Sequence, residues 1–214
     1  MLKVWGRATS INVQKVMWTL AELGLPHERI DIGGHFGKLD TPEFIRMNPN
    51  KRIPLLDDDG FLLWESNAIV RYLAETYGRG SLAPAGRLSF ARADQWSDWA
   101  ITTLYHDLIL TCFVGMILKA KAERDAAGIA AAARRIGANL AILDAQLEGK
   151  AFLLGDTFSF ADVLVGTYMY RYFNLGIERP RLPNVQSWYQ RLTARSAYQT
   201  HVMIDFSGMK VAGA

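Results

Sequence analysis

The sequence has 214 residues, half of them hydrophobic, with a formal net charge of +3 and one cysteine; its mean hydropathy is +0.03 and its pI about 9.0. That is apolar material for one large or two small domains, and a single cysteine excludes a disulfide framework or a thiolate metal cluster. The charges are scattered, with Arg134-Arg135 the only adjacent arginines, so the clustered cations of a nucleic-acid surface are missing.

The chain opens on a short strand around Leu2, Val4 and Trp5, ended by Gly6, with no signal-peptide layout. After the polar loop Arg7 to Ser10, Val13, Val16, Met17 and Leu20 recur at helical spacing. Gly24 and Pro26 end that helix, and His27 to Ile32 reads as a second strand, parallel to the first across the crossover. Gly33 to Gly37 is loop; its glycines lack dinucleotide-site spacing. Thr41-Pro42-Glu43 starts a short helix that stops at Asn48-Pro49. From Arg52 to Asn67 the chain reads strand, turn (Asp57 to Gly60), strand and helix start. Pro54 at a strand start makes Ile53-Pro54 a candidate cis bond at a sheet edge, and Ser66 is the expected cap of the next helix, which carries Ile69, Tyr72 and Leu73 on one face. Two readings of this stretch stand side by side: a structural hairpin with an ordinary cap, or a strand edge and a helix mouth that together accept a small peptide.

Gly78 to Gly86 has linker composition, and the β signals then vanish. A long helix is expected from Arg87 to about Ala122, kinked near Gly115, and an Ala-rich one from Glu123 to Leu147. The longest mostly apolar stretch, Leu108 to Leu118, is too short for a membrane span. Ser159 to Asp162 is a capping box ahead of Val163 to Phe173, and short helices over Val185 to Thr193 and Ala197 to Met203 close the chain. The expected fold is therefore α/β followed by all-α: residues 1–78 with a mixed four-stranded sheet, a linker at 79–86, and a helical domain over 87–214. A cytoplasmic protein with no membrane or nucleic-acid partner is expected.

No G-x-S-x-G elbow occurs, and His27, His35, His106 and His201 lack paired ligand spacing, so no metal is expected. The loop before the first helix holds Arg7 to Ser10 where thiol–disulfide chemistry would need C-x-x-C, and Cys112 reads as buried packing. What remains is Ser10 and Asn12 at the start of the first helix, together with Pro54, Glu65 and Ser66. Those residues carry a resemblance. Trp5-Gly6-Arg7, Ser10, Asn12 and Lys15, then Asn48-Pro49, Ile53-Pro54-Leu55, Glu65 to Ile69, and Gly155-Asp156 with Ser159 and Asp162 stand in the order and spacing of bacterial cytosolic glutathione transferases. Within that family the chain most resembles the group whose first motif reads W-G-R-x-x-S-x-N-x-x-K.

The resemblance implies a thioredoxin-like first domain, a homodimer, and glutathione as co-substrate, whose thiolate attacks a small electrophile. On this reading the main chain of Ile53, beside Pro54, pairs with the tripeptide as an added strand. Ser66 meets the γ-glutamyl carboxylate and Glu65 its ammonium, while Lys38, Arg52 or His35 meets the glycine carboxylate. Ser10 and Asn12 are the candidate donors to sulfur. Arg7 adds positive field there or binds an anionic second substrate. The electrophile's wall is sought on the long helix, at Trp96, Trp99, Thr103, Tyr105, His106 and Leu110. The donor position holds neither the tyrosine of the best-known animal classes nor the cysteine of one bacterial class, which leaves haloacid dehalogenation or disulfide reduction on the same site as rival activities. A non-enzymatic binding protein of the same fold is the third reading.

Overall fold

The structure, a computed structural model, describes residues 1–211; the last three residues of the expected helical domain lie outside it. Four strands, β1 (Leu2–Trp5), β2 (His27–Ile30), β3 (Leu55–Asp58) and β4 (Phe61–Trp64), form one sheet. Their order is β2-β1-β3-β4. β1 and β2 run parallel, as the crossover requires, and β3 is antiparallel to both β1 and β4, with Trp5 opposite Leu55 and Leu55 opposite Trp64. The second strand stops at Ile30, two residues short of the expected end.

Helices α1 (Ile11–Glu22) and α3 (Ser66–Tyr77) pack together and bury Val4, Val13, Val16, Leu56, Ile69 and Leu73 in one large core. α2 (Pro42–Met47) belongs to a separate small cluster of Ile32, Phe44 and Leu55. It starts as read from the sequence, with Thr41 accepting from the Phe44 N–H and proline at the first turn. This is a thioredoxin-like domain.

The remaining chain is helical. α4 (Arg87–Trp99) runs into a wider-wound π stretch, Ala100–Phe113, and a closing α-helical turn, α5 (Val114–Ile117). The long helix therefore ends at Ile117 and not near Ala122. Gly115, just past the change from π to α winding, lies close against α6: a β-carbon there would come within 3.1 Å of Ile129. α6 (Ala126–Gln146) begins three residues later than expected because Asp125 caps it, accepting from the Gly128 N–H at 2.8 Å. α7 (Phe160–Asn174), α8 (Pro183–Thr193) and α9 (Ser196–His201) complete the domain. The capping box of Ser159 and Asp162 forms as expected.

The helix from Arg87 to Ile117 and α6 are each long and apolar enough to cross a membrane, which corrects the estimate made from the apolar run alone. Half of the most apolar window of the first is buried within the protein.

The two domains share their core. α7 packs on both α1 and α3, and α9 on α1. Trp18 of α1 is fully buried and meets Tyr198 edge-on at 4.7 Å. Arg195 grips the Glu22 carboxylate through two bonds of 2.7 and 2.6 Å. The C-terminal half of α1 is thus tied to the helical domain.

Candidate active site

The C-terminal end of β1 and the N-terminal end of β3 lie side by side, and the chain leaves β1 into the loop Gly6–Ser10. Gly6 allows this loop to lie against α1: a β-carbon there would stand 2.4 Å from Val13 and 3.4 Å from Ile53. Ile53-Pro54 is cis. Among the described residues the main-chain N–H and C=O of Ile53 have no protein partner, so this edge is free to pair with an extended peptide.

Ser10 occupies the N-cap position of α1, yet its hydroxyl makes no capping bond. At the mouth of α3 the expected cap is corrected. Glu65, not Ser66, is the N-cap, with φ of +74°, a conformation uncommon for a residue with a side chain. Ser66 is buried in the first turn. The first N–H groups of α3 lack intrahelical acceptors, as at any helix start, and Glu65 makes no side-chain capping bond. This end is suited to a carboxylate.

Between these two helix mouths lies a residue that the sequence reading used only as a motif position. Lys15 is fully buried, and its Nζ donates to Asn12 Oδ1 at 3.1 Å, Asn67 Oδ1 at 3.2 Å and the Tyr168 hydroxyl at 3.0 Å. Burial lowers its pKa from 10.5 to about 7, opposed by the charge of Glu65. It joins Asn12 on α1, Asn67 on α3 and Tyr168 on α7. It stands between Gln14 and Val16, and nothing local in the sequence marks it as buried.

A second cation closes the other side. Arg171 of α7 is buried, donates from Nη2 to the Thr9 carbonyl at 2.8 Å, and lies 4.0 Å over the Phe113 ring. Burial, and the positive charge of Arg7, lower its pKa to about 10. Burial lowers that of Arg7 as well. Among the described residues neither arginine has a carboxylate within salt-bridge distance. Two positive charges without a carboxylate partner therefore stand at the loop before α1, Arg7 within it and Arg171 against it.

The candidates divide accordingly. Arg7, Ser10 and Asn12 sit at the start of α1, Ile53 and Pro54 at the sheet edge next to Gly6, and Glu65 and Ser66 at the start of α3, which Lys15 joins to Asn12 through Asn67. Tyr105 is half-buried on the π stretch, on the side of Arg171 and Tyr168. His106 is turned elsewhere: its side chain is 73% exposed and faces Asp107 at 3.4 Å, which is gripped in turn by Arg135 of α6. Trp99 packs edge-on against Trp96 at 5.1 Å, and Trp96 lines a separate cavity with Arg92, Gln146 and Lys150. Thr103 is half-buried and Leu110 exposed. Lys38, Arg52 and His35 are all exposed, and His35 stacks on Phe36. Cys112 is buried, its thiol pushed up to about 11 by burial, which fits packing.

Comparison with known proteins supplies the family. The N-terminal domain of glutathione S-transferases matches residues 1–75 and the C-terminal domain residues 101–196. Glutathione S-transferase GstB of Escherichia coli (strain K12) is 44% identical over 97% of this chain and 100% of its own length. A theta class glutathione S-transferase from Xanthomonas axonopodis pv. citri, solved with glutathione bound, superposes with a TM-score of 0.90 at 42% identity, covering 96% of this chain and 98% of that one. Bombyx mori glutathione transferase BmGSTD1 has a TM-score of 0.85 at 26% identity, covering 97% and 95%. With both domains matched in order and a relative 44% identical over nearly the whole chain, the chain belongs to the glutathione S-transferase family.

Proposed function

We propose that this chain binds glutathione along the Ile53 edge and activates its thiol for attack on a small electrophile, as a member of the group with the W-G-R-x-x-S-x-N motif. The observation that carries the reading is the pair of unused donors at the start of α1. The Ser10 hydroxyl makes no cap bond, and the Asn12 amide nitrogen is free because Lys15 occupies its oxygen. A free thiol has a pKa near 8.5 and is only a few per cent ionised at pH 7. Donors aimed at sulfur, the positive end of α1, and the two uncompensated arginines all favour the thiolate. A lowering of about two units corresponds to about 2.7 kcal/mol and makes thiolate the main form.

In the same reading the γ-glutamyl carboxylate lies on the Ser66 N–H and hydroxyl, Glu65 faces the ammonium, and Lys38 or Arg52 meets the glycine carboxylate. The chemistry is nucleophilic: sulfur bonds to the electrophilic carbon, the leaving group departs with its electron pair, and the thiol proton has already gone to solvent. Tyr105 is the best-supported residue for the electrophile side; Trp99, Thr103 and His106 have weaker support. We place the domain boundary at 78, the linker at 79–86 and the helical domain at 87–214. The site is cytoplasmic and the protein a homodimer on this reading. The exposed Phe61, Leu62 and Trp64 of β4, with Tyr77 and Leu88, supply apolar surface for the partner in addition to the faces of α3 and the long helix.

Titration calorimetry with glutathione, followed by turnover of an aryl chloride, tests the proposal. Saturable binding that is weakened in Ser66→Ala is expected, with conjugation that fails in the Ser10→Ala/Asn12→Ala double variant. A folded chain that does not bind glutathione would refute the reading.

A further inference from the structure

We infer that Lys15 is a positioning residue for the sulfur site: its buried ammonium locks the Asn12 amide with nitrogen toward the cleft, and ties that lock to α3 and α7. The inference rests on the glutathione reading above and adds a residue to it.

The geometry fixes the hydrogen-bond directions. An ammonium has three donors and no acceptor, and an asparagine side chain has one oxygen and one NH2. Asn67 is anchored independently, since its Nδ2 donates to the Ser97 carbonyl of α4 at 3.1 Å. Its oxygen must therefore face Lys15. Asn12 can offer Lys15 only its oxygen, which sends its two N–H groups the other way. Tyr168 takes the third proton while its ring lies 4.9 Å from Nζ. The ammonium's three donors meet three acceptors, and a neutral amine would still donate to both asparagine oxygens while accepting from the Tyr168 hydroxyl; in either form Asn12 presents its oxygen to Lys15.

Asn12 is partly exposed and sits in the first turn of a helix, where an amide rotates freely unless held. Replacing Lys15 with an uncharged side chain of similar length removes the hold and the positive charge together. The groups facing Nζ are the asparagines of α1 and α3, Tyr168 of α7, whose pKa burial raises, and Glu65 through its charge. Glu65 favours the ammonium and partly offsets the larger effect of burial. The fractional charge of Lys15 therefore changes in the range where a transferase thiol ionises, and a thiolate arriving beside Asn12 draws it toward the protonated state.

The test is titration of bound glutathione by thiolate absorbance against pH, with kcat and KM measured alongside, on the full-length protein and on Lys15→Met and Tyr168→Phe. The expected result is a thiol titration in Lys15→Met raised by about one unit, which from a wild-type value about two units below 8.5 is a roughly threefold lower thiolate fraction at pH 7, and a matching fall in kcat, with the KM for glutathione within about twofold of wild type. Tyr168→Phe shifts the titration in the same direction by less. A residue that merely fills the core would lower the unfolding temperature and leave the titration of the folded, liganded fraction where it was; that outcome overturns the inference. If Lys15→Met fails to fold, Tyr168→Phe decides, and an unmoved titration there also overturns it. A wild-type chain that binds glutathione but shows no shift in either variant loses only the role of Lys15. One that binds no glutathione loses the function as well.

Discussion

Lys15 and Asp162 are both fully buried ionisable residues, and the interior holds them in different ways. Asp162 is satisfied by its surroundings within the second domain. Its Oδ1 accepts from the Leu153 N–H and Trp188 Nε1, both at 2.9 Å, and its Oδ2 from the Ser159 N–H at 2.9 Å and hydroxyl at 3.0 Å. All four donors come from residues 153 to 188. Lys15 instead draws one partner from each of three helices, and those helices belong to both domains. A local, closed network specifies how one helix starts. A dispersed one couples the mouth of the cleft to the packing between domains.

The largest expected effect comes from breaking the closed network. Asp162→Ala leaves four donors facing a void, two of them main-chain N–H groups, and removing one partner from a buried polar set costs about 3–5 kcal/mol. Urea unfolding measures it. Burial pushes the carboxyl up to about 6, opposed by the N–H groups of Leu153 and Ser159. A loss of under about 1 kcal/mol would mean that the helix start is fixed by its apolar contacts alone. That would erase the contrast with Lys15.

Next in size is the thiol site itself. The double variant Ser10→Ala/Asn12→Ala removes both donors to sulfur, and kcat/KM at pH 7 should fall about 30- to 100-fold, or roughly 2–3 kcal/mol of differential stabilisation. Its folding stability should change little, because the Ser10 hydroxyl makes no cap bond to lose. Stopped-flow conjugation assays check the first point and denaturant midpoints the second. Equal losses of activity and stability would make these residues structural.

Lys15 also gives stability a pH dependence of predictable sign. Its folded value, about 7, lies below the ordinary 10.5, so between those two values the unfolded chain binds more protons than the folded one. Stability gains from this group as pH rises through that window. In Lys15→Met that gain disappears, so the difference between the two unfolding curves is constant below about pH 7 and changes only as pH rises from about 7 toward 10.5. Glutathione, by favouring the ammonium, should reduce the wild-type slope.

These networks also mark how far the sequence alone could be read. The capping box at Ser159 and Asp162 was legible because it is local: a hydroxyl and an acid three residues apart ahead of an apolar run. The sheet, the cis-proline edge and the helical second half were legible for the same reason, being written in periodicity and turn residues. Lys15 appeared only as a motif position, since its partners at 67 and 168 are distant in sequence. Arg171, likewise, met Thr9 across 162 positions and was missed. His106 was judged by its chemistry; its side chain is exposed beside Asp107, which Arg135 holds from α6. The π stretch over Ala100–Phe113 shifts which residues share a face, so an α-helical count through this segment misassigns its wall. Ser66 was displaced from the cap by the conformation of Glu65, which no residue-type preference foretells.

The smallest effect belongs to the pair on that π stretch. Arg135 donates from Nε and Nη2 to Asp107 at 2.8 and 2.7 Å, and this contact, with His106 beside it, holds the Asp107 carboxyl below its ordinary value of 3.8. A depressed carboxyl stabilises the fold above its unfolded pKa and loses that contribution as pH falls through the lower, folded value. Arg135→Gln should therefore differ from wild type by a constant small amount from pH 7 down to about 4, and the difference should close at more acidic pH, where Asp107 is protonated in both proteins. Salt should shrink the gap at neutral pH, because the arginine is largely exposed and its pair is screened. A gap that persists after Asp107 is protonated would instead assign the effect to the arginine stem packing on the π stretch, and would make this contact a matter of helix spacing rather than charge.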